Sequence, residues 1–251
     1  MGEVGNTAQE PSWSDIADWY DQLVRSGSGP HETALDCTLR LLGQPAGKTI
    51  LDLACGQGVA ARAIAEAGAE AVIAVDSSPQ MLLNARRHGG PGTLRYVEGD
   101  AQQLTEFAAE SFDVVNCQLG LMDIPDLPAT LAAVHRVLRP GGHLVFVIGH
   151  PCFLAPEAET STADDGRLGR WVPDYFGERF WRSTNPQGVR RAGNHHRTLA
   201  TYLNALVQAG FTLERVEEPR ASRLLAEQQP EYAAVPIFFA ARASKTTRES
   251  E

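Results

Sequence analysis

The sequence predicts an α/β protein with a seven-stranded, mostly parallel sheet and helices on both faces. Three observations lead there. Between residues 49 and 148, short apolar runs of strand length alternate with helical stretches. The first run passes directly into a glycine-punctuated turn, Ala54 to Gly58, and then into an alanine-rich helix. No apolar run approaches the ~20 residues of a membrane span, and 251 residues suit one domain, or one domain plus a lid.

The elements follow in order. Ile16, Trp19, Tyr20, Leu23 and Val24 recur at helical spacing, so Ser14 to Val24 is an amphipathic helix with Ser12 or Ser14 as its cap. A second helix runs to about Leu42, and the two make an N-terminal helical cap over residues 1–45. Thr49–Leu53, Ala71–Val75, Thr93–Val97, Phe112–Cys117 and His143–Ile148 are five strands. Gln57–Ala67, Pro79–His88 and Leu127–Leu138 are the helices between them, the last ended by Pro140-Gly-Gly142. Residues 151–195 break the alternation and form an insertion after the fifth strand. A helix with Leu199, Tyr202, Leu203, Leu206 and Val207 on one face then stops at Gly210. Phe211–Val216 and Pro236–Ala241 follow without a helix between them and pair antiparallel at one end of the sheet. The polar ends, 1–12 and 243–251, are expected to fray, and residues 1–12 do not read as a secretory leader.

The net charge of −9 argues against a dedicated nucleic-acid binder. Cys37, Cys55, Cys117 and Cys152 show no paired spacing, so neither a metal site nor a disulfide framework is expected. Reduced cysteines in a cytoplasmic protein are the expectation.

The sharpest segment is Ile50 to Ala60. Gly56 and Gly58 allow a tight turn and close approach of a ligand to the backbone. Asp76 ends the second strand, 20 residues after Gly56, where an acid can accept both hydroxyls of a ribose. Asp100 follows the third strand. These positions share the carboxyl edge of the sheet, where open α/β sheets bind ligands. Gly56-x-Gly58-x-x-Ala61 also satisfies the dinucleotide fingerprint, so a nicotinamide oxidoreductase is one reading. Asp52, four residues before Gly56, opposes a pyrophosphate there and favours a cationic ligand that bears an amino acid.

Taken together these segments resemble the class I S-adenosylmethionine-dependent methyltransferases, in particular bacterial small-molecule members of a type-11-like group. Leu51-Asp-Leu-Ala-Cys-Gly-Gln-Gly58 is similar to that family's glycine-rich motif, and Val75-Asp76-Ser-Ser-Pro-Gln-Met81 to its ribose-binding acidic loop. Gly99-Asp100-Ala101 resembles its adenine loop. Phe112-Asp113-Val-Val115 through Asp126 and Leu138-Arg-Pro-Gly-Gly142 resemble its fourth strand and its post-helix turn. The resemblance implies a Rossmann-like sheet and S-adenosylmethionine as cofactor, with S-adenosylhomocysteine as product. It implies that Asp52, Ala54, Gly56 and Gly58 hold the methionine part and that Asp76 takes the ribose, with Ser77 at its border. Met81 would pack on the adenine, Asp100 and Ala101 would meet its edge, and Cys117 and Gln118 would lie near the sulfonium. Tyr20 would close over the cofactor carboxylate. The chain carries Asn116-Cys-Gln-Leu119 where base-modifying relatives carry Asn-Pro-Pro-Tyr, which removes support for methylation of DNA.

On the acceptor side, Phe153, Trp171, Tyr175, Phe176, Phe180 and Trp181 are six of the chain's 18 aromatic residues, and seven arginines lie between Arg167 and Arg197. A lid is expected whose aromatics wall a small, apolar or planar organic acceptor such as a specialised metabolite. His150 and His196 are the candidate general bases at the correct edge of the sheet, and His31 is placed to reach the cofactor carboxylate. His88, His135 and His143 are read as structural. A cofactor-binding protein without methyl transfer remains a further reading, and the chain is expected to act as a monomer or homodimer without metal.

Overall fold

The structure is a computed structural model that describes residues 12–246. The expected fraying of residues 1–11 and 247–251 lies outside the described residues. Seven strands form one sheet: β1 (Thr49–Leu53), β2 (Ala71–Asp76), β3 (Leu94–Glu98), β4 (Phe112–Gln118), β5 (Leu138–Gly149), β10 (Phe211–Glu217) and β11 (Phe238–Lys245). Their order is β10-β11-β5-β4-β1-β2-β3. The first five are parallel, and β11 runs antiparallel to both β5 and β10. Four short strands sit in the insertion: β6 (Glu159–Thr162) with β7 (Leu168–Trp171), and β8 (Arg179–Trp181) with β9 (Asn194–His196).

Alternation along the strands sorts their side chains into two cores. Leu51 and Leu53 of β1, Val115 and Cys117 of β4 and Phe146 of β5 face one cluster, covered by α5 (Leu127–Val137) and α6 (Leu199–Gln208). Ile50, Val114, Val145 and Val147 face the other, covered by α2 (Gly29–Leu42), α3 (Val59–Glu66) and α7 (Arg223–Gln228). The second helix therefore leaves the N-terminal cap and lies on the sheet. α1 (Trp13–Arg25) remains as the cap, started by a Ser12–Asp15 capping box. Polar contacts tie it to α4 (Pro79–Arg87): Ser14 Oγ meets Ser78 Oγ at 2.8 Å, and Asp18 Oδ1 accepts from Asn84 Nδ2 at 2.9 Å. Asp21 meets His88 Nε2 at 2.6 Å, so His88 does serve structure.

Several boundaries differ from expectation for identifiable reasons. α3 starts at Val59 rather than Gln57, because Gly58 has a left-handed φ of 79° that a helix cannot hold. β5 begins at Leu138 and runs through Pro140-Gly-Gly142, with an irregular register against β4. α7 and a 3₁₀ turn at Pro230–Ala233 separate the last two strands, which were expected to follow without a helix. The final strand extends to Lys245, into the stretch expected to fray, because its ladder with β10 continues to Phe211. Val207 is 70% exposed and leaves the buried face of α6 to Tyr202, Ala205 and Leu206.

Phe146 is fully buried at the centre of the first cluster. Phe146→Ala is expected to lower unfolding stability by about 3–5 kcal/mol in urea titration. A loss below about 1 kcal/mol would place the load of the core elsewhere.

Candidate functional site

A crevice opens at the carboxyl ends of β1, β2, β3 and β4, with about 1090 Å³ of empty space including the part open to solvent. Its floor is the turn after β1. Cys55 donates its N–H to the Val75 carbonyl at 2.9 Å, and Gly56 donates to Asp76 Oδ2 at 2.8 Å. Gly56 sits at φ 54°, the left-handed region glycine adopts without strain. Gly58 serves close approach instead. A Cβ there would lie 2.4 Å from the Tyr96 hydroxyl.

Ten of the twelve residues expected to bind the cofactor line the crevice: Tyr20, Asp52, Ala54, Gly56, Asp76, Ser77, Met81, Asp100, Ala101 and Gln118. Gly58 and Cys117 do not. Gly58 is buried against Tyr96 as the first cap of α3. Cys117 is fully buried in the α5–α6 core, because the pleat turns it away from the face that carries Asp52 and Asn116.

Each carboxylate has a distinct setting. Asp52 is buried beside its register partner Asn116, whose Nδ2 donates to Oδ1 at 2.6 Å. Its Oδ2 has no hydrogen-bond partner, and burial pushes its pKa up to about 7. Asp76 accepts from the Gly56 and Ser78 N–H groups, each at 2.8 Å. Burial raises its pKa and those bonds oppose the rise. Asp100 is half-buried and held below the usual range, chiefly by the Gln102 backbone N–H. Asp123, in the loop after β4, also lines the crevice, and burial pushes it up to about 7 against the pull of Arg190.

No lysine or arginine is among the described residues lining the crevice. The basic side chain present, His31, is held near pKa 4 by burial and is neutral. Its Nε2 lies 2.6 Å from the Tyr20 hydroxyl and its Nδ1 lies 2.8 Å from Ser28 Oγ. An acidic wall whose neighbouring cation, Arg190, lies outside the lining and is paired with Asp123 disfavours phosphates and suits a ligand that carries positive charge.

The two candidate bases lie elsewhere. His150 ends β5, which β4 separates from β1. Its Nδ1 accepts from the Cys152 N–H, so Nε2 carries the hydrogen and donates to Glu218 Oε1 at 2.8 Å. His196 belongs to β9 and meets the Tyr175 carbonyl with Nε2 at 2.8 Å. It borders a second, smaller cavity with His195, Asn194, Arg190 and Arg197. Neither histidine lines the crevice.

The insertion contacts the crevice residue Asp123 and the cap helix with arginines rather than aromatics. None of its six aromatics lines the crevice, and Phe176 is 84% exposed. Arg190 Nη1 lies 3.4 Å from Asp123 Oδ1, and the Arg191 guanidinium lies 3.9 Å from the centre of the Trp19 ring on α1. Just after the insertion, Arg197 donates to the carbonyls of Leu121, Ile124 and Pro125, and pins the loop that carries Asp123. Trp13, Val24, Gln102 and Asp123 line the crevice without having been picked from sequence. Asp123 sits inside the segment that resembled the fourth strand and its loop, and nothing about its spacing marks it.

Comparison with known proteins agrees with this geometry. Residues 51–146 match a family described as a methyltransferase domain. An S-adenosylmethionine-dependent methyltransferase from Mesorhizobium loti superposes with a TM-score of 0.71 at 31% identity, covering 87% of this chain and 99% of that one. An uncharacterized protein of Haemophilus influenzae is 30% identical over 204 residues, 76% of each chain. A ubiquinone biosynthesis O-methyltransferase of Aliivibrio fischeri is 38% identical over 102 residues, 40% of this chain and 43% of that protein. The match thus spans less than half the length of that quinone enzyme. Among the described residues no helix is long and apolar enough to cross a membrane, and no cluster of metal-ligating side chains occurs.

The raised pKa of Asp52 sets a pH dependence. The unfolded chain loses this proton near pH 3.9, the ligand-free folded protein near 7. The folded state therefore holds more protons in between, and this residue's contribution falls as pH rises from about 4 to about 7. Asp52→Asn removes that loss. Its stability relative to the unaltered chain is expected to grow by at least about 1 kcal/mol between pH 4.5 and 7.5 in thermal or urea unfolding. A difference that stays constant with pH would show the carboxylate to be ionised throughout.

Proposed function

The chain belongs to the S-adenosylmethionine-dependent methyltransferases, and from that premise we propose that it methylates an oxygen or nitrogen of a small organic molecule. The observation that carries the donor assignment is the crevice lined by Asp52, Asp76, Asp100 and Asp123 with no lysine or arginine. A nicotinamide dinucleotide would bring its pyrophosphate to that turn and meet carboxylates. A sulfonium donor with an ammonium group meets compensating charge.

In this reading Asp76 takes the ribose hydroxyls with the lone pairs left after its two backbone bonds. Asp100 and Ala101 border the adenine, with Met81 packed against its face. Asp52, whose Oδ2 lacks a partner, faces the amino-acid part together with the backbone from Ala54 to Gly56. Tyr20, paired with His31, covers that part from α1. When bound, S-adenosylmethionine supplies a methyl group already activated by positive sulfur. The chain's task is then to align, to exclude water and to order the acceptor at short range. The Arg190–Asp123 and Arg191–Trp19 contacts support the insertion as the cover that does so. His150 and His196, each engaged with protein partners outside the crevice, hold the end of β10 and the insertion in place in this reading.

The acceptor class proposed is a small organic molecule, with a specialised metabolite as one case. Quinone precursors belong to the relatives' names and to matches over less than half of those proteins.

Calorimetry with S-adenosylhomocysteine tests the assignment. Asp76→Ala is expected to weaken binding at least about tenfold, ~1.4 kcal/mol. His150→Gln and His196→Gln are expected to stay within about threefold. Unchanged affinity in Asp76→Ala, or tighter binding of NADH than of S-adenosylhomocysteine by the unaltered chain, would refute it.

A further inference from the structure

Asp123 is the crevice carboxylate that the nucleoside and amino-acid roles leave over. The strand order β3-β2-β1-β4 lays the crevice out from end to end. Asp100 and Asp76 stand at the β3 and β2 side, where the adenosine part is assigned. Asp123 stands in the loop after β4; the later part of that loop reaches back to the Asp100 loop, where the Asp126 N–H donates to Gln102 Oε1 at 3.0 Å, while the Asp123 side chain itself meets Arg190 of the insertion, on the side assigned here to the sulfur and the incoming acceptor. Its side chain is 15% exposed. Oδ1 has one contact, the 3.4 Å approach of Arg190 Nη1, and Oδ2 has no hydrogen-bond partner among the described residues.

Such a setting is expensive for a carboxylate unless another donor arrives. Burying one oxygen against a long ion-pair contact and leaving the other free toward a cavity makes sense when the cavity fills with a molecule that presents an O–H or N–H group. Arg190 belongs to the 3₁₀ turn Val189–Ala192, whose next residue, Arg191, rests on Trp19 of the cap helix. One turn of the insertion therefore touches Asp123 of the crevice and Trp19 of the helix that caps it.

We propose that Asp123 is the acceptor-side carboxylate of this site, and that Arg190 positions it by holding Oδ1 so that Oδ2 receives the hydrogen of an acceptor hydroxyl or amine. This rests on the donor reading given above. It also narrows the acceptor class. A neutral hydroxyl or an amine fits beside Oδ2, whereas a carboxylate or phosphate next to the reacting atom meets like charge.

The test uses the full chain and three nucleosides in calorimetry: S-adenosylhomocysteine, S-adenosylmethionine and sinefungin, in which a carbon bearing an ammonium group replaces the methylated sulfur. The ammonium projects where an acceptor would approach. The unaltered chain is expected to bind sinefungin at least about tenfold more tightly than S-adenosylhomocysteine. Asp123→Asn should remove that preference while S-adenosylhomocysteine stays within about threefold, a split that a merely structural residue would not produce. Arg190→Gln, which removes the contact that positions the carboxylate and keeps it ionised, should lower the preference. If Asp123→Asn does not fold, as judged by circular dichroism, Arg190→Gln decides alone: a lowered preference supports the assignment and an unchanged one overturns it. A preference that survives Asp123→Asn also overturns it. Failure of the unaltered chain to bind any of the three nucleosides would instead overturn the donor reading.

Discussion

Two backbone N–H groups clasp the carboxylate of Asp76, and the site grows outward from that clasp. Gly56 supplies one from the turn after β1, and Ser78 supplies the other from the cap of α4. The clasp joins the first two crossovers of the sheet at the edge where ligands bind. It requires the left-handed Gly56 and the sharp exit from β1, and it leaves the carboxylate aimed into the crevice with lone pairs to spare. Without it only the Cys55 N–H to Val75 carbonyl bond would join the turn after β1 to the end of β2.

The lining is built at a cost to stability. Asp52 and Asp123 are buried deeply enough to titrate near 7, and Asp52 keeps an unpartnered oxygen. Ala54 and Leu119 hold left-handed backbone at φ 52° and 59° beside the same space, where a side chain is strained. Functional sites concentrate such compromises, since charge and strain that the fold alone would remove are what a ligand of opposite charge relieves. The surrounding structure compensates with two apolar cores and with polar ties such as Arg197 on three carbonyls of the loop after β4.

What was legible in the sequence is what is encoded locally. The five parallel strands, the glycine turn and the positions of Asp52, Asp76 and Asp100 follow from residues within a few places of one another. What was illegible depends on direction or on distant contacts. Cys117 follows Asn116 in sequence, yet the pleat sends it into the core. Gly58 reads as a ligand glycine and instead accommodates Tyr96, a residue 38 positions away. His150 ends a strand at the correct edge, but one strand too far along the sheet. The aromatics of the insertion read as a pocket wall, while its arginines make the contacts with the crevice. Asp123 and Arg190 are separated by 67 residues and carry no motif, so only the folded chain brings them together.

The charge and layout of the crevice are most directly tested by a crystal structure of the chain with S-adenosylhomocysteine. The account requires both ribose hydroxyls on the Asp76 carboxylate, the adenine beside Asp100 and Ala101, and the sulfur toward the loop that carries Asp123. A ribose bound away from residue 76, or a nucleoside turned so that its sulfur lies beside Asp100, would contradict it.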